Sequence, residues 1–202
     1  MTGFVFYDMI NIEGGEIMGL DFKEIAEGAR AFFYVGRNYL EPEKHIPGVA
    51  AIPYYVDTAF ACELYMKAII VFHNPNVTKQ EFKKIKHRLD KLFELLPVET
   101  QEEIKDKLSD QKIQEMQKHY ISQYKKLLST DAPDIVKNIA KKKIENPALS
   151  FGEMLKQQAT LFEDWRYFYE ATDAEPISCD EWFLYHFCSE LHNNVAKIMN
   201  LR

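Results

Sequence analysis

The chain has 202 residues, of which 47% are hydrophobic, 13% aromatic and 28% charged, so it can bury a core and is not of a disordered, collagen-like or disulfide-rich class. The formal net charge of -6 is uneven: residues 1–77 and 150–202 each sum to -5, whereas residues 78–149 sum to +4. The basic middle of the chain has two interpretations. It forms a surface that binds nucleic acid or another acidic partner, or its lysines lie on a solvated helix face.

The first seventeen residues carry no helix signal and include Gly14 and Gly15. Met18 follows at once and is a second candidate initiator. We therefore expect residues 1–17 to be an extension with little structural role, and residues 18–202 to form a single helical domain.

Helix starts are predicted where Ser, Thr or Asp precedes an acidic residue by three positions, because this spacing satisfies free amide groups in the first turn. The six pairs are Asp21 with Glu24, Thr78 with Glu81, Thr100 with Glu103, Asp131 with Asp134, Ser150 with Glu153, and Ser178 with Glu181. A further helix is predicted over residues 54–73, between a proline-rich stretch and Asn74-Pro75-Asn76.

These signals predict an all-α protein, an up-and-down helical bundle of about five core helices with a helical excursion. The broadest apolar faces belong to residues 54–73, 150–171 and 178–200, which are expected to form the packed centre. Residues 99–149 are rich in Lys, Gln and Glu and are expected to be a peripheral helical segment.

Two polar residues interrupt the apolar helix 54–73. Glu63 and Lys67 are four residues apart in the order that favours an intrahelical ion pair. Alternatively, Glu63 lies inside the bundle and orients an arginine or histidine from a neighbouring helix. Burial of Glu63 decides between these interpretations.

Arg166 stands out in the segment Trp165-Arg166-Tyr167-Phe168-Tyr169-Glu170, because the chain has only five arginines against twenty lysines. Glu163 and Glu170 lie at pairing distance along the same predicted helix. A planar guanidinium among aromatic rings suits either such ion pairs or the bidentate binding of phosphate. The residues leave both interpretations open.

Three segments in this order resemble the HEPN superfamily: Ala61-Cys62-Glu63-Leu64-Tyr65-Met66-Lys67-Ala68, His87-Arg88-Leu89-Asp90-Lys91-Leu92-Phe93, and the Arg166 segment. The resemblance spans roughly residues 21–200. It implies a four- or five-helix bundle, a prokaryotic toxin, phage-defence or RNA-processing context, and, in active members, metal-independent ribonucleases that act as dimers. The signature of those members is Arg, four to six residues, then His.

Arg166 matches the arginine of that signature, but Ala171, Thr172 and Asp173 stand where the histidine belongs. Arg37 and His45 have seven residues between them, one more than the signature allows. Any cleavage would need another base, and Glu170 serves only if burial raises its pKa. Arg166 and Glu170 are therefore tentative catalytic residues, in a module expected to be catalytically degenerate.

Candidate binding residues follow from the same motifs. Glu63, Lys67, His87, Arg166 and Tyr167 are candidate ligand contacts, although His87 is equally explained as a helix-start residue that bonds to backbone groups. Contacts to a nucleic-acid backbone are predicted for Lys79, Lys83, Lys84, Lys86 and Arg88.

Three interpretations remain: a degenerate HEPN-like module that binds RNA or a nucleotide, a metal-independent endoribonuclease with an altered site, and a non-enzymatic interaction protein. The resemblance and the aromatic-rich final helices predict a homodimer, and the family suggests a separately encoded antitoxin-like partner. No cofactor or metal site is expected, and the chain lacks an apolar stretch that would span a membrane. Three cysteines without paired spacing fit the reducing cytoplasm.

Overall fold

The computed structural model describes residues 20–40, 52–161 and 180–200. Regular structure in these ranges is entirely helical, which confirms the predicted all-α class. The helices are α1 (Phe22–Leu40), α2 (Ile52–His73), α3 (Lys79–Ile85), α4 (Leu89–Glu94), α5 (Val98–Lys107), α6 (Asp110–Leu128), α7 (Asp134–Glu145), α8 (Phe151–Gln157) and α9 (Glu181–Asn200). The predicted extension, residues 1–17, lies outside the described residues.

Helix α2 is the centre of the bundle, as predicted for residues 54–73. It has buried residues on every face, so it packs against neighbours all round: Thr58, Ala59, Ala61, Cys62, Glu63, Tyr65, Met66, Ala68, Ile69, Ile70 and Val71. Helices α1 and α9 pack directly against it. The core therefore has a frame of three helices to which the shorter ones attach.

Helix α1 has one apolar face and one polar face. Phe22, Ala26, Ala29 and Phe33 recur every three or four residues and are buried. The side chain of Asp21 caps the helix by accepting from the amides of Lys23 and Glu24 at 2.6 and 3.1 Å, as predicted. This helix covers more of α2 than any other described helix, a role that the sequence analysis had not given it.

Helix α9 packs against both α2 and α1 and carries a buried stripe formed by Phe183, Leu184, Phe187, Leu191, Val195 and Ile198. The rings of Phe183 and Phe187 lie 5.7 Å apart, and both are buried in the core of this chain. Cys188 of this helix lies close to Cys62 of α2, and both thiols are buried. Burial raises the pKa of the Cys188 thiol well above its usual value.

Two further predicted caps are confirmed. Thr78 and Glu81 form a capping box at α3, and Ser150 accepts from the amide of Glu153 at α8. Helix α9 begins just after Asp180, whose Oδ1 accepts from the amide of Phe183 at 3.0 Å. The predicted cap at Ser178 lies outside the described residues.

Two predicted starts are wrong because prolines set the boundaries. Thr100 lies inside α5, which begins immediately after Pro97. Asp131 is not the cap of α7, because the cap position is held by Pro133. Both prolines have extended ψ angles near 145°, at 143° and 147°, and neither cap provides a side-chain hydrogen bond. Each helix starts with the residue that follows its proline.

A continuous helix over residues 150–171 is also wrong, because α8 ends at Gln157. The next turn bonds to other parts of the chain instead of continuing the helix: the carbonyl of Ala159 accepts from the amide of Leu89 at 3.1 Å. The side-chain oxygen of buried Gln158 accepts from the amide of Asp180 at 3.3 Å. These bonds tie α8 to the starts of α4 and α9.

Helices α6 and α7 pack against each other. Hydrogen bonds attach α6 to the rest of the bundle: Gln117 donates to Asp180 at 3.0 Å, Gln114 donates to the carbonyl of Leu149 at 3.2 Å, and Asp110 accepts from the amide of Phe151 at 2.8 Å. Among the described helices, α7 makes its main contacts with α6 alone, in keeping with a peripheral position for this part of residues 99–149.

Candidate functional site

A carboxylate lies in the interior of the bundle at the middle of α2. Glu63 has no exposed surface, and both of its oxygens are engaged. Oε1 accepts from Lys67 Nζ at 2.5 Å, and Oε2 is 2.8 Å from Nδ1 of His87. We call Glu63, Lys67 and His87 the Glu63 cluster.

The partners keep the buried Glu63 ionised. Burial raises the pKa of a carboxyl, but the hydrogen bond from His87 and the charge of Lys67 outweigh burial and hold the pKa of Glu63 below its usual value. Lys67 is held from a second side by the ring of Phe82 in α3, 5.5 Å from Nζ. The Glu63 cluster therefore connects α2 to the segment that contains α3 and the following turn.

The structure contains both arrangements that the sequence left as alternatives for Glu63. The intrahelical pair with Lys67 is present, and Glu63 also orients a histidine from a neighbouring segment. His87 bonds to a side chain, and about 30% of its own side chain is exposed, against 15% for Lys67 and 1% for Glu63. A ligand at this surface reaches His87 and Lys67, whereas Glu63 positions them from below.

The predicted basic residues lie on α3 and the turn after it. The side chains of Lys79, Lys83, Lys84 and Lys86 are exposed. Arg88 is half-buried and forms a two-pronged pair with Asp90, with nitrogen–oxygen distances of 2.9 and 2.7 Å. That hydrogen bond holds the pKa of Asp90 below its usual value. The ion pair with Asp90 partly neutralises Arg88 and so weakens the attraction of Arg88 for a phosphate.

Lys86, next to His87, has an uncommon backbone conformation. Its φ of 58° and ψ of -136° are close to the first central position of a type II′ turn, which favours glycine. A side chain there costs about 1 to 3 kcal/mol of strain. The turn leads directly into His87 and so into its contact with Glu63.

Arg166, Tyr167 and Glu170 lie outside the described residues. The part of the site predicted around them therefore stays a prediction.

A basic groove on α6 was missed by the sequence analysis. It is shallow and open to solvent, has a volume of about 510 Å³ and is lined by Lys118, Ile121, Ser122, Lys125, Lys126 and Ser129. We call it the α6 groove. The three lysines form no ion pair with a carboxylate in the described ranges, and no acidic residue occurs between Met116 and Thr130. That acid-free stretch is the signal from which the groove could have been predicted.

Comparison of the chain with protein-family models, with curated proteins and with solved structures finds no match. The resemblance to the HEPN superfamily therefore rests on the quoted motifs. Two of them touch, because Glu63 belongs to the first and His87 to the second.

The described residues also include neither a membrane-spanning helix nor a cluster of metal-binding side chains. None of the helices there combines the length and apolar character needed to cross a membrane. In the same ranges, His, Cys, Asp and Glu side chains nowhere gather in threes in a way that could hold a metal ion.

Proposed function

We propose that this chain is a catalytically degenerate HEPN-like module that binds RNA through the phosphate backbone, in a toxin–antitoxin or phage-defence type system. The observation that carries the proposal is the α6 groove: a concave surface with three lysines, two serine hydroxyls and no carboxylate in its lining. Lysine ammonium groups attract phosphates without reading bases. The expected binding is thus strong at low salt and weakly dependent on sequence.

The length of the groove favours RNA over a mononucleotide. Lys118 and Lys125 are seven residues apart on one helix, about 10 Å along the axis at 1.5 Å per residue. A single phosphate cannot neutralise both ammonium groups at that separation, whereas successive phosphates of a strand can. The hydroxyls of Ser122 and Ser129 add hydrogen-bond donors beside the lysines.

The lysines of α3 provide a second cationic surface. Lys79, Lys83, Lys84 and Lys86 are exposed and belong to the same basic block, residues 78–149. Beneath them, the Glu63 cluster fixes the position of His87. Because His87 is held in place before any ligand binds, the surface formed by α3 and the turn after it is a second candidate for binding RNA.

Loss of cleavage is proposed from the sequence. The positions at which the family signature requires histidine after Arg166 hold Ala171, Thr172 and Asp173. Without that histidine, activation of the 2′-hydroxyl of RNA falls to Glu170, which is a poor base unless burial raises its pKa. RNA is then bound and released intact.

Salt-dependent binding tests the proposal. We expect single-stranded RNA to bind with an affinity that falls steeply with salt, by a logarithmic slope of about 0.7 per phosphate contact. Changing Lys118, Lys125 and Lys126 together to Gln removes three contacts and should reduce the slope by about 2. The matched control changes Lys23, Lys107 and Lys156 to Gln, three exposed lysines on other helices, and should leave the slope unchanged.

Other outcomes separate the alternatives. Equal slopes in the wild type and the α6 triple variant would overturn the groove as the binding surface, and a fourfold change of Lys79, Lys83, Lys84 and Lys86 to Gln then tests the α3 surface. Shortened RNA after incubation would replace the proposal with the altered-site ribonuclease. Failure of RNA to bind at low salt, together with a stable complex with a second protein, would replace it with the interaction protein.

We also propose that the module is a homodimer and that it has an antitoxin-like partner, as the resemblance implies. Tyr34 and Val35, neighbours on α1, are 41% and 47% exposed and offer an apolar contact. Light scattering at micromolar concentration tests the dimer, with a mass of twice 23.7 kDa as the expected result. A monomeric mass would count against it.

A further inference from the structure

One buried charge in the described part of the chain has no partner. Lys143 on α7 is 8% exposed, and its ammonium nitrogen is shielded from solvent without a hydrogen bond or an ion pair to the described residues. The buried carboxylates of the same ranges, Glu63, Asp90 and Asp180, all accept hydrogen bonds. Nearly all buried polar groups in folded proteins are paired, so the isolated charge of Lys143 requires an explanation.

An unpaired ammonium in the interior opposes the packing of its own helix. The charge loses its hydration on burial, and no carboxylate or carbonyl oxygen replaces the lost hydrogen bonds. This cost disappears when α7 moves away from α6 and Lys143 reaches water. We call the packed position of α7 closed and the displaced position open. The closed position is therefore less stable than apolar contacts, such as those of the buried Ala140, would make it.

Few other contacts oppose the opening of α7. Among the described helices, α7 makes its main contacts with α6 alone. Residues 129–133 join its start to the end of α6. The chain beyond its end is held by the hydrogen bond from Gln114 to the carbonyl of Leu149, at 3.2 Å. Helix α7 can therefore separate from α6 while the chain stays attached on both sides of it.

The same two attachments place Lys143 at the level of the α6 groove. The chain turns back after α6, and Leu149 contacts Gln114 near the start of α6, so the two helices run antiparallel. Lys143 is six residues before Leu149, which corresponds to a level about six residues after Gln114. Lys118 and Ile121 of the groove lie there. Opening of α7 therefore releases the ammonium of Lys143 at the level of the groove.

We propose that Lys143 is a cryptic phosphate contact, uncovered when a strand of successive phosphates displaces α7 from α6. RNA in the α6 groove is the strand that we expect, so this inference rests on the proposed function. In the open position a phosphate supplies the anionic partner that Lys143 lacks in the closed position, and the strand therefore binds the open form more tightly. Binding of the strand and opening of α7 favour each other.

Hydrogen exchange of the full chain without ligand tests the cost of the buried charge. Methionine is similarly long and flexible but uncharged, so Lys143→Met removes the unpaired ammonium. We expect exchange in α7 to slow by about a hundredfold, because the closed position no longer contains that charge. Lys141→Met changes an exposed lysine of the same helix and should alter exchange by less than about threefold. Exchange in α7 that is as fast in Lys143→Met as in the wild type, or faster, would overturn the proposal.

Hydrogen exchange with bound ligand tests the displacement of α7. The probes are a single-stranded RNA and inorganic polyphosphate, which has successive phosphates but no bases. At low salt we expect both to speed exchange in α7 by about tenfold and to leave exchange in α2 unchanged. If RNA binds but α7 exchanges at the same rate or more slowly, this inference is wrong and the proposed function stands. If polyphosphate opens α7 but RNA does not bind, the cryptic contact stands and RNA is not its ligand.

The salt dependence of binding shows whether Lys143 itself contacts a phosphate. A lysine that stays buried releases no counterion from the strand, so its replacement leaves the logarithmic slope unchanged. If α7 opens in the complex, Lys143→Met should lower the slope by about 0.7, which corresponds to one contact with a single strand. Lys156→Met, an exposed change on α8, is the control and should not alter the slope. Equal slopes for Lys143→Met and the wild type would rule out the cryptic contact.

Discussion

Gly36 of α1 faces Thr58 of α2 at such close range that a Cβ atom at Gly36 would lie 2.2 Å from Oγ1 of Thr58. The two helices therefore approach at a point where only glycine fits. Glycine inside a helix normally costs about 1 kcal/mol relative to alanine, so its presence here is explained by packing.

Gly36→Ala should destabilise the protein by about 1 to 3 kcal/mol, because the added methyl group forces the helices apart. Thr58→Ala removes the clashing hydroxyl, which is buried without a hydrogen-bond partner in the described residues, and should restore most of the loss in the double variant. Gly152→Ala is the matched control, since nothing lies within 4 Å of its added Cβ. Urea unfolding measures all four proteins, and a Gly36→Ala variant as stable as wild type would contradict the close approach.

Glu63→Gln should destabilise the bundle by about 3 kcal/mol at pH 7, because it leaves the charge of Lys67 without its buried partner. The exposed Glu102→Gln on α5 should change stability by less than about 0.5 kcal/mol. A double-mutant cycle with His87→Gln isolates the contact between Glu63 and His87. Additive effects in that cycle would show that the contact contributes nothing.

Lys86→Gly should stabilise the protein by about 1 kcal/mol, since glycine adopts the positive φ without strain and loses only part of this gain through its greater freedom when unfolded. Lys84→Gly removes the same charge two residues earlier, inside α3, and should cost about 1 kcal/mol. Thermal unfolding compares the two variants. The same sign of change in both would show that the Lys86 backbone is relaxed.

Asp57 gives stability an unusual pH dependence, because burial raises the pKa of its carboxyl to about 6 from its ordinary value of 3.8. The folded state binds more protons than the unfolded state between these values, so this group lowers stability as the pH rises through that window. Asp57 is only half-buried, so solvent screening reduces the effect on stability to about 1 kcal/mol. Asp57→Asn should thus be more stable than wild type at pH 7, with the difference vanishing near pH 4 in urea titrations.

Hydrogen exchange should be faster in α7 than in α2 around Leu64. Helix α2 is surrounded by other helices, whereas α7 packs chiefly on α6, so α7 can open locally at a lower free energy. Mass spectrometry of exchanging peptides measures the difference. Equal protection of the two helices would contradict a peripheral position for α7.

The sequence predicted features that depend on neighbouring residues. Asp21, Thr78 and Ser150 cap their helices as expected, because a cap is a contact over three residues. The end of α8 at Gln157 was not predictable in this way. It is fixed by the bond from Leu89 to the carbonyl of Ala159, which joins residues seventy positions apart.

The candidate site shows the same division. The pairing of Glu63 with Lys67 could be predicted from their spacing, but the contact with His87 required knowledge of burial. Tyr65 and His192, whose hydroxyl and Nδ1 lie 2.8 Å apart, are separated by 127 positions in the chain, and no local pattern joins them. Such a contact is visible only after the helices have been assembled.

The contact between Cys62 and Cys188 has a consequence for how this architecture can vary. The chain leaves the three-helix frame through α2 and returns to it through α9, and these helices lie side by side at the two thiols. Helices α3 to α8 are therefore inserted between two adjacent points of the frame, and most of them add residues such as Leu92, Ile104 and Met154 to its core. Among them α7 packs chiefly on α6, so a change in its length or sequence alters the surface of the protein with the least effect on the frame.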